Sequence, residues 1–135
     1  MKTDNSKKNI TIAALSRKIM HPEEWIYSKV YFLGKSLDFD LEENELSVFE
    51  VKSPNVTTLI TTRRIIEKSN NSIHSLKFDD VDSVKYGNFK GDLNKPQLSI
   101  CKIIDIHGKE FSFQMETGKA SIGFIYAINT LLRLK

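Results

Sequence analysis

Residues 57–66, which read TTLITTRRII, hold two short runs that favour β-strands on either side of a polar break. Thr, Leu and Ile dominate the first run, and the second begins with arginine and continues with two isoleucines. The pattern predicts two strands joined by a tight bend. Two arginines, Arg63 and Arg64, lie at that bend, and the central question is whether they bind a phosphate or hold the bend in place.

The strand-like texture continues through the C-terminal part of the chain. Turn residues separate seven short runs rich in β-branched and aromatic residues, at 46–51, 57–62, 64–67, 72–78, 81–86, 98–106 and 110–115. In the last run, Phe111, Phe113 and Met115 alternate with polar residues, which is typical of a half-buried antiparallel strand. We expect the residues around Gly108 to form the hairpin turn that precedes it.

The chain ends with a segment, 118–134, whose apolar residues follow a helical period. At 100° per residue they occupy one sector: Phe124, Ile125, Ile128, Leu131 and Leu132. Thr117 is a plausible N-cap. A helix with so concentrated an apolar face must pack on the sheet, and an α+β fold follows.

The N-terminal third has a different character. Residues 1–9 are polar and predict a disordered tail, and residues 10–20 show helix-like spacing. Pro22 and the acids after it indicate a second helix over 22–37, although its β-branched and aromatic content also permits a strand. We therefore expect a helical extension over residues 10–44, whose Trp25, Ile26 and Phe32 either pack on the strand-rich part or contact a partner.

Composition places the chain among ordinary folded domains. Its 135 residues are 40% hydrophobic and 27% charged, which suits one domain with a real core. The net charge of +3 arises from interleaved positive and negative residues, so we do not expect nucleic acid as a partner. No apolar run reaches the ~18 residues that a membrane span needs, and we expect no transmembrane segment and a cytoplasmic location.

The sequence offers no constellation typical of a catalytic or metal site. Lys29 stands where a Walker A loop containing Gly34 would need its first glycine, and the acidic run from Asp79 to Asp82 lacks the glycine and glutamate of a calcium loop. The three histidines are scattered, and the single cysteine, Cys101, lies in an apolar run as a buried structural thiol would. We expect no enzyme, no cofactor and no metal.

Three segments and the closing helix resemble the bacterial PH-like family, which has the pleckstrin-homology superfold. The segments are 58–66 (TLITTRRII), 73–84 (IHSLKFDDVDSV) and 104–113 (IDIHGKEFSF). They are similar to the family's strand ending in Thr-x-Arg-hydrophobic, its acidic turn and its hairpin with a glycine at the tip. The resemblance covers about residues 45–135 and implies a bent antiparallel sheet or barrel of about seven strands, capped by the C-terminal helix.

The resemblance also bears on the two arginines. At the family's Thr-x-Arg position, a structural arginine that caps carbonyls or pairs with an acid is the simpler account. Phosphoinositide-binding PH modules carry several cations on the first hairpin, whereas residues 51–64 offer only Lys52, Arg63 and Arg64. We therefore do not expect phosphoinositide binding.

One loop, residues 86–97 (YGNFKGDLNKPQ), is long for a connection between strands. Its Tyr86, Phe89 and Lys90 could stack on a base or grip a peptide. The alternative is a mobile hairpin whose Phe89 packs on the core.

Taken together, the sequence favours a non-enzymatic binding or assembly module. Such a module would engage protein partners or its own copies through a sheet edge or the N-terminal helices. The alternative is a module that binds a phosphate ligand, either a lipid headgroup or a nucleic acid, through Lys52, Arg63, Arg64 and Lys90.

Overall fold

The computed structural model describes residues 2–87 and 98–135. Its helices and strands are, in chain order, α1 (Asp4–Ser16), a 3-10 helix (Pro22–Glu24), β1 (Ser28–Val30), β2 (Ser47–Lys52), β3 (Val56–Thr61), β4 (Arg64–Ser69), β5 (Ser72–Lys77), a second 3-10 helix (Phe78–Asp80), β6 (Val81–Tyr86), β7 (Leu98–Asp105), β8 (Glu110–Glu116) and α2 (Lys119–Arg133). The predicted α+β class is confirmed.

Two antiparallel sheets make up the body of the molecule. The first has the strand order β1-β2-β3-β4-β5, and the second has the order β6-β7-β8. All seven predicted strands form, and β8 alternates as expected, with Phe113 and Met115 buried. The β7–β8 turn contains Gly108 at a φ of 84°, and the Asp105 carboxylate accepts hydrogen bonds from the backbone N–H groups of His107 and Lys109.

The main core lies between the inner faces of the two sheets and under α2. Its largest fully buried side chains come from both sheets and the helix: Phe49, Ile60, Ile65, Ile103, Phe113, Met115, Phe124 and Ile128. Cys101 belongs to this core, and burial raises the pKa of its thiol to about 12. The prediction of an inert, structural cysteine agrees with that environment.

Helix α2 packs its predicted apolar sector into the core, with Phe124, Ile128 and Leu131 buried. The predicted N-cap, Thr117, is wrong by one residue. Gly118 takes that position at a φ of 73°, a conformation that favours glycine, and Ser121 donates hydrogen bonds to its carbonyl from both N and Oγ. No helix in the described part of the chain is long and apolar enough to cross a membrane.

The first helix begins earlier than the sequence predicts. Residues 4–9, which were expected to be a disordered tail, are helical from Asp4 onward, because Thr3 caps the helix by accepting a hydrogen bond from the Ser6 N–H at 3.1 Å. Helix α1 packs against α2, and Leu15 is fully buried in the main core. The N-terminal segment and the strand-rich part therefore share one core.

The second predicted helix, over 22–37, is wrong. Only Pro22–Glu24 is helical, and Ser28–Val30 instead forms β1 at the edge of the first sheet, paired with β2. The strand that the β-branched content permitted has formed because the free edge of β2 offers backbone partners. The Glu116 carboxylate fixes the approach to β1 by accepting hydrogen bonds from the N–H groups of Ile26 and Tyr27 at 3.0 and 2.9 Å.

Residues 31–45, here called the strap, cross the outer face of the first sheet. Tyr31 and Phe39 are buried against Leu59 and Ile66, and together these four form a second, smaller apolar cluster. The strap turns at Gly34, whose φ is 81°. Both faces of the first sheet are therefore covered, one by the main core and the other by the strap.

A Gly123→Ala substitution tests the close contact between α2 and the first sheet. A Cβ at this position would lie 2.7 Å from Cε2 of Phe49, so this fully buried ring or the helix would have to shift. Alanine gains about 1 kcal/mol of helix propensity, but overpacking costs about 1–3 kcal/mol, so we expect a net loss of about 1 kcal/mol in the free energy of unfolding.

Chemical denaturation measures this loss of stability. The same measurement in a protein that lacks the Phe49 ring tests whether that ring is the cause. In a Phe49→Leu protein the same Gly123→Ala change should cost less, because the clashing ring atoms are gone. An equal cost in both backgrounds would show that Phe49 is not what limits the residue at position 123.

Candidate functional site

The bend between β3 and β4 is built by a threonine side chain. Thr61 Oγ1 accepts hydrogen bonds from the N–H groups of Arg63 and Arg64, at 3.1 and 3.0 Å. Beside it, Thr62 fixes the bend to the start of β2, since its N–H donates to the Leu46 carbonyl and its Oγ1 accepts from the Leu46 N–H. The bend therefore points both arginine side chains towards the N-terminal segment.

Arg63 binds the start of α1. Its Nε and Nη2 donate to the two carboxylate oxygens of Asp4 at 3.1 and 2.9 Å, and its Nη1 donates to Glu42 at 3.2 Å. Nη2 also donates to the Glu43 carbonyl at 2.8 Å. The hydrogen bonds from Arg63, opposed by burial and aided by a hydrogen bond from Thr62, hold the pKa of Asp4 below its usual value.

Arg64 binds the end of the strap. Its Nε and Nη2 donate to the two carboxylate oxygens of Glu45, at 2.9 and 3.0 Å, and the Glu45 side chain is completely buried. Burial alone would raise the pKa of Glu45, but the hydrogen bonds from Arg64 and Thr61 outweigh it, so the pKa is lowered. Bidentate pairs of this kind are both strong and geometrically specific.

The predicted phosphate-binding set does not converge on one site. Arg63 and Arg64 are paired with acids, and Lys52 donates to Asp38 at 3.0 Å. Lys52 is paired in register with Thr57 at the beginning of β3, whereas the arginines follow its end, about 15 Å away by the rise of a strand. The structure gives these three residues structural contacts in two separate places.

The remaining predicted site residues come from the loop at 86–97. The Tyr86 hydroxyl donates to Asn129 Oδ1 of α2 at 3.0 Å, its ring packs against the main core, and burial raises its pKa. Phe89 and Lys90 lie outside the described residues, so their predicted role stays a prediction.

One cluster of possible metal ligands was missed in the sequence. His21 Nδ1 lies 3.3 Å from a carboxylate oxygen of Glu23 and 3.3 Å from one of Glu24. The sequence signal is the contiguous His-Pro-Glu-Glu at residues 21–24, which contains one histidine and therefore no histidine pair. All three side chains are more than half exposed and Glu24 also pairs with Lys119 at 3.4 Å, so the cluster reads as a solvated ion-pair group.

The strap presents apolar side chains to solvent although its backbone is fixed. Ser36 binds the sheet through its N–H, which donates to Ser47 Oγ at 3.0 Å, and through its Oγ, which donates to the carboxylate of Glu50 at 2.8 Å. Three large apolar side chains nevertheless point outward, with exposed fractions of 53% for Phe32, 88% for Leu33 and 91% for Leu37. The sequence predicted a helix over 22–37 and gave no sign that Leu33 and Leu37 would be exposed together.

The strand that precedes the strap is the terminal strand of its sheet. Tyr27 and Tyr31 direct their backbone groups towards β2, since the Tyr27 carbonyl accepts from Lys52 N and Tyr31 N donates to the Val48 carbonyl. In an antiparallel ladder the alternate residues, Ser28 and Val30, therefore direct their backbone groups away from the sheet. Among the described residues this edge has no strand partner, and in the chain it directly precedes the exposed apolar part of the strap.

Comparison of the chain with protein-family models, with curated proteins and with solved structures found no match.

Arg64, which pairs with a buried carboxylate, and Lys52, which forms an exposed pair, should differ in how much their substitution changes stability. Arg64→Gln leaves the buried Glu45 carboxylate without its charged partner, and we expect a loss of about 3 kcal/mol in the free energy of unfolding. Lys52→Gln removes only a surface pair and should change stability little. Urea titration of both variants checks the contrast, and equal effects would mean that the Arg64–Glu45 pair is not structurally important.

The lowered pKa values of Asp4 and Glu45 predict acid sensitivity. Their ordinary values are 3.8 and 4.5, and lower values in the folded protein mean that the unfolded chain binds more protons in this range. The stabilisation is therefore complete above about pH 5 and is lost as pH falls through the folded pKa values. We expect the free energy of unfolding to fall steeply below pH 4.5, and Asp4→Asn to make that fall shallower.

Proposed function

We propose that this protein is a non-enzymatic binding or assembly module with a PH-like fold, engaging protein partners or its own copies. Its contact surface consists of the exposed apolar side chains of the strap and the neighbouring edge of β1. The order of elements from β2 to α2 supports the PH-like part, because seven antiparallel strands followed by one helix is the order that the family resemblance implies.

The exposure of Phe32, Leu33 and Leu37 on an anchored backbone carries the proposal. The strap buries Tyr31 and Phe39 on the sheet, while these three side chains face solvent. Contiguous apolar side chains held in solvent are a common mark of a protein interaction site. The open edge of β1 adds unpaired backbone groups that an extended partner segment can use.

The rival function, binding of a phosphate ligand, has less support. An anion approaching Arg63 or Arg64 would have to displace Asp4, Glu42 or Glu45 and would meet their negative charge. Lys52 is likewise held by Asp38. Three of the four cations in the predicted phosphate-binding set are therefore paired with acids, and the fourth, Lys90, lies outside the described residues.

Substitution of the exposed leucines tests the proposed surface. We expect Leu33→Ser/Leu37→Ser to weaken self-association in light scattering across protein concentrations, or to lose partners in capture with immobilised protein, because it removes apolar contact area. The fold should persist, since both side chains are exposed. Deletion of residues 1–39 is a poorer test because it also removes Leu15 and Val30 from the core.

Ile106→Ser provides a matched control, because this side chain is also exposed but lies in the β7–β8 turn of the second sheet, and no described contact joins it to the strap. The control should behave as the unmodified protein does. If neither association nor the captured proteins differ between the unmodified protein and the double leucine variant, the strap is not a contact surface and the proposal is wrong.

A further inference from the structure

The outer face of the second sheet carries exposed apolar residues beside two lysines. Cys101 and Ile103 of β7 point into the core, so the alternate residues point outward. Among these, Leu98 and Ile100 are exposed, with 44% of Ile100 accessible. We call this surface the β7 face and define it by Leu98, Ile100, Lys85 and Lys102.

The two lysines of the β7 face lie directly opposite each other. Lys85 of β6 is paired in register with Lys102 of β7, and like charges in this position repel. Lys102 has a distant exposed pair with Glu110, at 3.9 Å, and the described residues give Lys85 no ion pair. A carboxylate placed between these lysines would relieve the repulsion.

The strap carries exposed apolar residues and acidic residues, which complement the apolar and basic residues of the β7 face. Beside its exposed Leu33 and Leu37 it carries Asp40 and Glu43, which are exposed and whose carboxylates make no ion pair among the described residues. Asp40 is three residues from Leu37 and three from Glu43, so each step spans at most about 11 Å. Exposed apolar residues are therefore followed by acidic ones along the strap, as they are followed by a basic one along β7.

These two surfaces belong to different sheets. The two sheets enclose the main core with their inner faces, the strap covers the outer face of the first sheet, and the β7 face is the outer face of the second. No contact within the described part of the chain joins the strap to the β7 face. A second copy can bring its β7 face to the strap without moving either element.

We propose that the strap of one copy docks on the β7 face of another copy. This inference rests on the proposed function and names the partner as a second copy of the chain. Leu33 and Leu37 pack on Leu98 and Ile100, while Asp40 and Glu43 pair with the two lysines. The contact joins two different surfaces, so each copy retains one free surface and assembly continues beyond the dimer.

Charge reversal on each surface tests the docking. We expect Asp40→Lys/Glu43→Lys and Lys85→Glu/Lys102→Glu each to weaken self-association at least tenfold, because like charges then face each other. An equimolar mixture of the two variants should associate again, since the reversed strap of one matches the reversed β7 face of the other. Light scattering of the full-length proteins, separately and mixed, measures this.

Two control variants carry the same changes in net charge on other exposed positions. Arg17→Glu/Arg133→Glu matches the lysine reversal, and Glu23→Lys/Asp79→Lys matches the acid reversal. Both controls should associate as the unmodified protein does. If they weaken association as much as the strap and β7 variants, net charge is responsible and the docking is overturned.

The outcomes separate this inference from the proposed function. Association that survives both reversals, or that is lost in each variant and not restored by mixing, overturns the strap-to-β7 contact but leaves a binding module in place. An unmodified protein that stays monomeric at every concentration also overturns it, and the capture comparison with Leu33→Ser/Leu37→Ser then decides the proposed function by itself.

Discussion

Two adjacent guanidinium groups at one bend attach the N-terminal segment to the sheet. Arg63 binds α1 through Asp4, and Arg64 binds the strap through the buried carboxylate of Glu45. Removing Arg64 would leave the Glu45 charge in a site from which water is excluded. The position of both elements therefore depends on a bend that the hydroxyl groups of Thr61 and Thr62 hold in shape.

The anchoring explains how one segment can be buried and exposed at once. A free segment with several large apolar residues would collapse onto the nearest apolar surface. The strap is fixed at Ser36 and at Glu45, so its backbone decides which side chains face the sheet. Tyr31 and Phe39 fall on the inner side, and Leu33 and Leu37 are left in water. A rigid display of apolar groups lowers the ordering cost of binding a partner.

Local patterns predicted the strands and α2 because each has a period that its own residues reveal. The strand β1 could not be predicted in the same way, since its residues suit a helix or a strand and the choice depends on the distant edge of β2. The partners of Arg63 were also hidden, because Asp4 lies 59 residues away and in a segment too polar to suggest order. Which side chains of the strap are exposed also depends on contacts with distant residues, so local sequence patterns could not predict it.

The long separation between α1 and its anchor has a consequence for synthesis of the chain. Helix α1 leaves the ribosome before the arginine that binds it, since Arg63 follows Asp4 by 59 positions. The later part of the N-terminal segment can pair with β2 early, but the Glu116 carboxylate that binds its Ile26 follows 90 positions later. Packing of α1 against α2 must wait longest, because α2 is the last element of this sequence to be translated.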